Sequence, residues 1–418
     1  MRIAVMTAGS RGDVAPYTGL AHGLAAAGHR VTVVTHGSFG PLVTAAGVGF
    51  RPIPVDPRAE LESARGRALH DSPSGPGKLV KLVRMARALA DRLVPPLVTA
   101  ARDSDVLLVS SSLAPIGHAL GEGLAVPSMG LYLQPLHPTA EFGPAIIGTR
   151  SWGALGNRLG GHLVNASVDA VFAGTLRSTV RDQLGLPGSA ARQATHRARE
   201  RRRWPVHHGF SEHVVPRPAD WRPGLHVSGY WWPYDPPGAR LPAPVRDFLD
   251  AGPPPVYIGL GSATVPDPAA LSRTLVRALR AAGLRGIVQR GWARLEAEGD
   301  DMLTVDEVPH ALLFPETAAV VHHGGAGTTA AGLRAGVPSV PVPVQFDAGF
   351  WAARLTALGV APAAVPLRRL TADRLAAALT AATRRPAYAR RAARVAELLR
   401  AEDGVGPVLA DVERLAAR

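Results

Sequence analysis

Apolar residues recur along this chain in short unbroken runs rather than in strict alternation. RIAVMTA (2–8), RVTVVTH (30–36), DVLLVSS (105–111) and PSMGLYL (127–133) each have the length and character of a strand buried on both faces. A Gly-rich turn, GSRGDVAP (9–16), and a helix-like stretch, YTGLAHGLAAAGH (17–29), separate the first two. That strand–loop–helix–strand order predicts parallel, right-handed units and so a doubly wound α/β domain. The rhythm restarts at PVYIGLGS (255–262) and continues through the helix AALSRTLVRALRAAG (269–283) and the strand RGIVQRG (285–291). MLTVDEVPHALLFPET (302–317) and AAVVHHGGAGTT (318–329) supply further βα units, and 388–404 and 405–418 read as two amphipathic helices.

The stretch GYWWPYDPPGARLPAP (229–244) has too many prolines for regular helix or a central strand. It marks a linker at 229–250 between a first domain over 1–228 and a second over 251–385, with a tail at 386–418 that packs back on the first domain. Two such domains face each other across a cleft, and open sheets bind ligands there, beyond the carboxyl ends of their strands. Two polar segments, 51–78 and the basic 194–210, predict surface loops.

With 418 residues, 46% of them apolar, the chain has material for two cores. The formal net charge of +13 raises the question of nucleic acid, but the arginines are spread along helix-like stretches beside Asp and Glu. The expectation is a solvated basic surface with no nucleic-acid partner. Contact of the basic loop 197–203 with anionic lipid is an alternative. No cysteine is present, which excludes disulfides and thiolate metal sites. The apolar run at the start is too short for a signal peptide, and no run approaches the roughly 20 residues of a membrane span. A soluble, cytoplasmic protein is expected.

The chemistry concentrates in HHGGAGTTAAGLRAG (322–336). A strand ends at two histidines, glycines let a ligand approach the backbone, and a helix begins. Free amides and the positive end of the helix dipole favour an anion such as a diphosphate, and Thr328 and Thr329 add hydroxyl donors. The stretch is neither a Walker A loop nor a GxGxxG fingerprint, so ATP hydrolysis and NAD binding are not expected.

Together with GSRGDVAPY, GLGS, GWARL, DEVPHALLFP, FDAGFW and the block at 209–231, this stretch resembles the family 1 glycosyltransferases. The likeness is to the bacterial antibiotic and sterol members, and the blocks cover most of the chain. The resemblance implies the GT-B fold, two Rossmann-like α/β domains facing across a cleft, with a nucleotide-diphosphate sugar bound by the C-terminal half. It implies diphosphate contacts from His323, Gly325, Ala326, Gly327 and Thr328. Ser262 is either a hydroxyl beside the same phosphates or a helix N-cap. The backbone of Val308 reads the pyrimidine. His310 belongs to the same region or is a structural histidine, and Trp292 packs near the base or in the core. Ser10, Arg11 and Gly12 join the donor contacts from the opposite lobe.

Asp347 matches the carboxylate that grips sugar hydroxyls, with Gln345 nearby. The family usually carries Gln after this Asp; here Ala348 stands in its place, which suggests a donor with fewer hydroxyls, such as a deoxysugar. Ala331 occupies the place of a ribose-binding Glu found in plant members. In the N-terminal half, Asp13 matches the acceptor-activating base, although it could instead cap the helix that follows. Tyr132, Gln134 and His137, in LYLQPLHPTAEF (131–142), are expected at the acceptor, and His36 could line the cleft. The implied reaction inverts the anomeric centre and needs neither a metal nor a cofactor beyond the TDP- or UDP-sugar. The implied acceptor is a lipophilic natural product of polyketide or macrolide type. A sterol or lipid glucosyltransferase, a nucleotide-sugar epimerase and a non-catalytic helper remain the alternatives.

Overall fold

The computed structural model describes residues 1–63, 92–178, 182, 184–185, 195–344 and 346–416. Its frame is two fully parallel sheets. The first has seven strands: β1 (Arg2–Met6), β2 (Arg30–His36), β3 (Gly49–Ile53), β4 (Val106–Ser110), β5 (Ser128–Tyr132), β6 (Val206–His208) and β7 (Leu225–Val227), in the order β3-β2-β1-β4-β5-β6-β7. The second has five: β8 (Val256–Gly259), β9 (Gly286–Gln289), β10 (Met302–Val305), β11 (Ala319–His322) and β12 (Ser339–Pro341), in the order β10-β9-β8-β11-β12. Every strand of β4 and β8 is buried along its whole length, as unbroken apolar runs require.

Strand order reverses next to β1 in the first sheet and between β8 and β11 in the second. The loops leaving β1, β8 and β11 therefore stand at switch points, where neighbouring crossovers run in opposite directions and leave a crevice. These are the GSRGD, GLGS and HHGGAGTT loops.

The basic run expected as a loop at 194–210 is ordered instead. It forms the helix His196–Arg201 and strand β6, with His196 and Arg199 buried. Thr195 caps this helix by accepting from the Ala198 amide. In the other predicted loop, β3 and the helix Pro57–Glu62 occupy the first part, and residues 64–78 lie outside the described set. The linker region contains the helix Ala243–Asp250, and Tyr230 and Trp231 are buried within it.

The C-terminal helix Gly406–Ala416 places Val408 and Val412 in the core beneath β1 and β2. A polar latch fixes it. The Nε2–H of His207 donates to Asp411 Oδ2 at 2.8 Å, and the Ser228 hydroxyl donates to His207 Nδ1 at 2.7 Å. All three residues are buried, so this Ser–His–Asp arrangement ties the tail to the first sheet. Asp411→Ala leaves a buried N–H unpaired and is expected to cost about 1–3 kcal/mol. A lowered denaturant midpoint at unchanged slope checks this.

Candidate active site

Three buried polar atoms mark the turn after β11. His322 Nε2, His323 Nδ1 and Thr329 Oγ1 have no hydrogen-bond partner within the described residues. Such groups are rare in a folded interior, and three around one turn point to a polar ligand. The helix Ala326–Ala335 starts here with Gly325 at its N-cap and no side-chain cap. Thr329 N–H closes the first helical bond onto Gly325 C=O, which leaves the amides of Ala326, Gly327 and Thr328 for another acceptor.

The glycines are fixed by close approach. A Cβ at Gly325 would lie 2.4 Å from His323 Nε2, and one at Gly261 2.7 Å from His323 Cε1. The His323 ring is thus held between the GLGS loop and the helix start. Burial pushes its pKa down to about 4, so it meets a ligand as a neutral imidazole. Gly324 has φ +84°, and a Cβ there would lie 2.7 Å from Ala348 C=O.

Ser262 follows Gly261 on the loop after β8. The cap of the next helix is Asp267, which accepts from the Ala270 amide at 2.8 Å, so the N-cap reading of Ser262 is wrong. Trp292 is half-buried, and its amide donates to Gly261 C=O at 3.0 Å, which sets it beside the same loop. Val308 turns its side chain into the core, leaving its backbone at the end of β10. His310 stacks on Phe314, with ring centroids 4.3 Å apart, and its Nε2 lies 3.1 Å from the Tyr257 hydroxyl. Those contacts give it a structural part beside the site.

Asp347 begins the helix Ala348–Ala357 and accepts from Trp351 Nε1 at 2.7 Å. Trp351 is fully buried, so it anchors the carboxylate from below. The i, i+4 spacing of Asp347 and Trp351, legible in the sequence, sets the two side chains on one face of the helix. Burial raises the Asp347 pKa to about 6, and the charge of Asp13 adds to the rise. Two carboxylates from opposite lobes therefore share one region of the cleft. Phe346 beside them is exposed and takes φ +52°, a conformation L side chains rarely adopt. Gln345 lies outside the described residues.

Across the cleft, Asp13 closes the short turn Arg11–Asp13 after β1. Its Oδ2 accepts from the Ser10 amide at 2.8 Å and the Ser10 hydroxyl at 3.0 Å, and Thr7 Oγ1 donates to its backbone carbonyl at 2.7 Å. Burial raises its pKa, while the bonds from Ser10 pull it down. Ser10 thus bonds Asp13 directly. Gly12 meets the helix start: a Cβ on Gly327 would lie 3.9 Å from the Gly12 backbone. Arg11 pairs with Glu307 of the second domain at 3.1 Å. Further contacts hold the lobes together, among them Arg354 Nε to Val214 C=O at 2.7 Å and Phe142 against Phe350 at 5.2 Å.

Behind this meeting point a cavity of about 200 Å³ opens in the first domain. Tyr132 and His137 line it, with Leu136, Val168 and Phe172 giving apolar walls. Ser112, also in the lining, donates to Ala8 C=O at 2.8 Å, which connects the cavity to the Asp13 loop. Gln134 stands beside it, its Oε1 accepting from Ser111 at 3.3 Å. His207 and His208 point to opposite faces of β6: His208 bonds His137 at 3.1 Å and His207 bonds Asp411.

Residues 3–141 match the glycosyltransferase family 28 N-terminal domain, and residues 289–414 the erythromycin biosynthesis protein CIII-like C-terminal domain. An O-mycaminosyltylonolide 6-deoxyallosyltransferase of Streptomyces fradiae is 37% identical over 97% of this chain and 95% of its own length. The chain belongs to the family 1 glycosyltransferases of the antibiotic and sterol type. A sterol 3-beta-glucosyltransferase of Arabidopsis thaliana is 33% identical over 97% of this chain, which spans 66% of that protein and 59% of a second one from the same plant. The crystal structure of the glycotransferase of kitacinnamycin superposes with a TM-score of 0.72 at 20% identity, covering 99% of both chains, and shares the GT-B fold. That of the calicheamicin glycosyltransferase gives 0.69 at 17% identity, covering 100% of this chain and 98% of that one.

Proposed function

We propose that this glycosyltransferase moves a sugar from a nucleoside-diphosphate donor to a hydroxyl of a lipophilic natural product, with inversion. The observation that carries the reading is the placement of Asp13, a half-buried carboxylate on a bonded loop, against the amide-rich start of the helix at Ala326. Asp13 accepts the proton of the acceptor hydroxyl as its oxygen attacks the anomeric carbon from the side opposite the diphosphate. The amides of Ala326, Gly327 and Thr328, with the His323 ring and the Thr328 hydroxyl, meet the charge that develops on the leaving diphosphate. With these donors the step requires no metal. Asp347 holds sugar hydroxyls, and the cavity beside Tyr132 and His137 receives the acceptor.

A deoxysugar on thymidine diphosphate is the donor favoured here. Ala348 is buried against Gly324 and offers no side-chain hydrogen bond to a sugar hydroxyl. The Streptomyces relative is named as a 6-deoxyallosyltransferase, and a solved glycosyltransferase of the same fold is described in complex with thymidine diphosphate. Turnover with TDP-deoxysugars is expected to exceed turnover with UDP-glucose on a panel of macrolide and polyketide aglycones. Faster transfer of glucose from UDP-glucose to a sterol would replace this donor and acceptor by the sterol reading.

A further inference from the structure

His36 lies at the carboxyl end of β2, is buried, and is not among the groups the reaction above uses. Its two ring nitrogens have different partners. Nδ1 lies 2.8 Å from Val55 C=O, just beyond β3, so Nδ1 carries the proton and donates. Nε2 lies 3.0 Å from the Gly9 amide, so it is bare and accepts. One tautomer satisfies both bonds. The ring is a strut across the carboxyl ends of three adjacent strands, from Val55 after β3, through β2, to Gly9 after β1.

Gly9 is where such a strut matters. Its φ is +146°, and a Cβ there would lie 2.4 Å from Asp13 Oδ2. The backbone thus bends into a conformation open to glycine so that the Asp13 carboxylate can fold back over it and accept from Ser10. Glycine brings freedom as well as room, and the only side chain bonded to the Gly9 amide among the described residues is His36.

We infer that His36 is a positioning residue for the reaction: through Gly9 it holds the loop that aims Asp13 at the acceptor hydroxyl. This rests on the proposed role of Asp13, so the test has one arm that does not depend on turnover. His36→Leu removes both bonds while keeping an apolar body in the site. His36→Gln keeps them, since its amide oxygen can accept from Gly9 and its NH₂ can donate to Val55.

In His36→Leu, kcat is expected to fall about 10- to 100-fold, the loss that a misplacement on the order of 1 Å costs a reacting group. Donor Kd changes less than about threefold, because the amides proposed to meet the diphosphate lie on the other domain, and His36→Gln, which keeps both bonds, recovers most of kcat. Hydrogen exchange of the segment 7–14 is expected to speed up in His36→Leu and return toward the parent rate in His36→Gln. Exchange at 7–14 unchanged in His36→Leu overturns the strut. Faster exchange with kcat intact keeps the strut but overturns its part in the reaction, and Asp13→Asn, which leaves His36 untouched, tests the role of Asp13 separately. An equal loss of kcat in both variants, tracking only the fraction folded, also overturns the inference.

Discussion

Asp13→Asn is expected to lower kcat by about 10²- to 10⁴-fold, the usual contribution of a positioned general base. Asn has the same shape, and its side-chain oxygen can still accept from the Ser10 amide, so the loop keeps its fold. What disappears is the lone pair that takes the proton. Donor affinity is expected to hold, because the diphosphate contacts come from the opposite lobe. Isothermal titration with TDP beside a turnover assay separates the two effects, and full turnover by the variant would remove Asp13 from its role.

Two carboxylates set the pH dependence, Asp13 and Asp347. Asp13 must be ionised to act, and burial lifts its pKa above the ordinary Asp range. Asp347, lifted to about 6, loses its negative charge as pH falls through that value. Protonation of either carboxylate removes activity, and the loss of charge on Asp347 is expected to make kcat/KM rise with pH through about 6. Asp347→Asn should remove the step near 6 and raise KM for the donor sugar.

His323→Ala is expected to weaken donor binding by about 1.5–3 kcal/mol, or roughly 10- to 100-fold in Kd, the worth of a hydrogen bond to a charged group. The ring lies between Gly261 and Gly325, and its Nδ1 is buried with no partner among the described residues. Gly325→Ala probes the same spot from the other side, because its methyl would lie 2.4 Å from His323 Nε2 and must push the ring off the phosphate position. The two changes remove one interaction, so the double variant should bind little worse than the poorer single one. Unchanged donor affinity in His323→Ala would take the histidine out of the phosphate site.

Much of this was legible from residue order. Unbroken apolar runs marked β1, β2, β4, β5, β8 and β9, because a strand covered on both faces has no polar side to show. The three-residue strands β6, β7 and β12 were not legible, being too short to carry a period. The basic stretch that includes Arg199 looked like a loop because its charge hid a short helix whose inner side packs against the first domain. The HHGGAGTT turn announced itself, since glycines before a helix start have a local physical meaning.

Sequence by itself determined the two parallel domains, the Gly-rich turn before a helix start and the family, since each is written in contiguous residues. Tertiary structure alone decided which residues serve which. Gly9, beside Asp13, belongs with His36 of β2; Asp347 meets Asp13 across the cleft; Gly12 closes over Gly327 from another domain. Such pairings depend on strand order and on how two lobes dock, and no local pattern of apolar and polar positions encodes a distance between segments hundreds of residues apart.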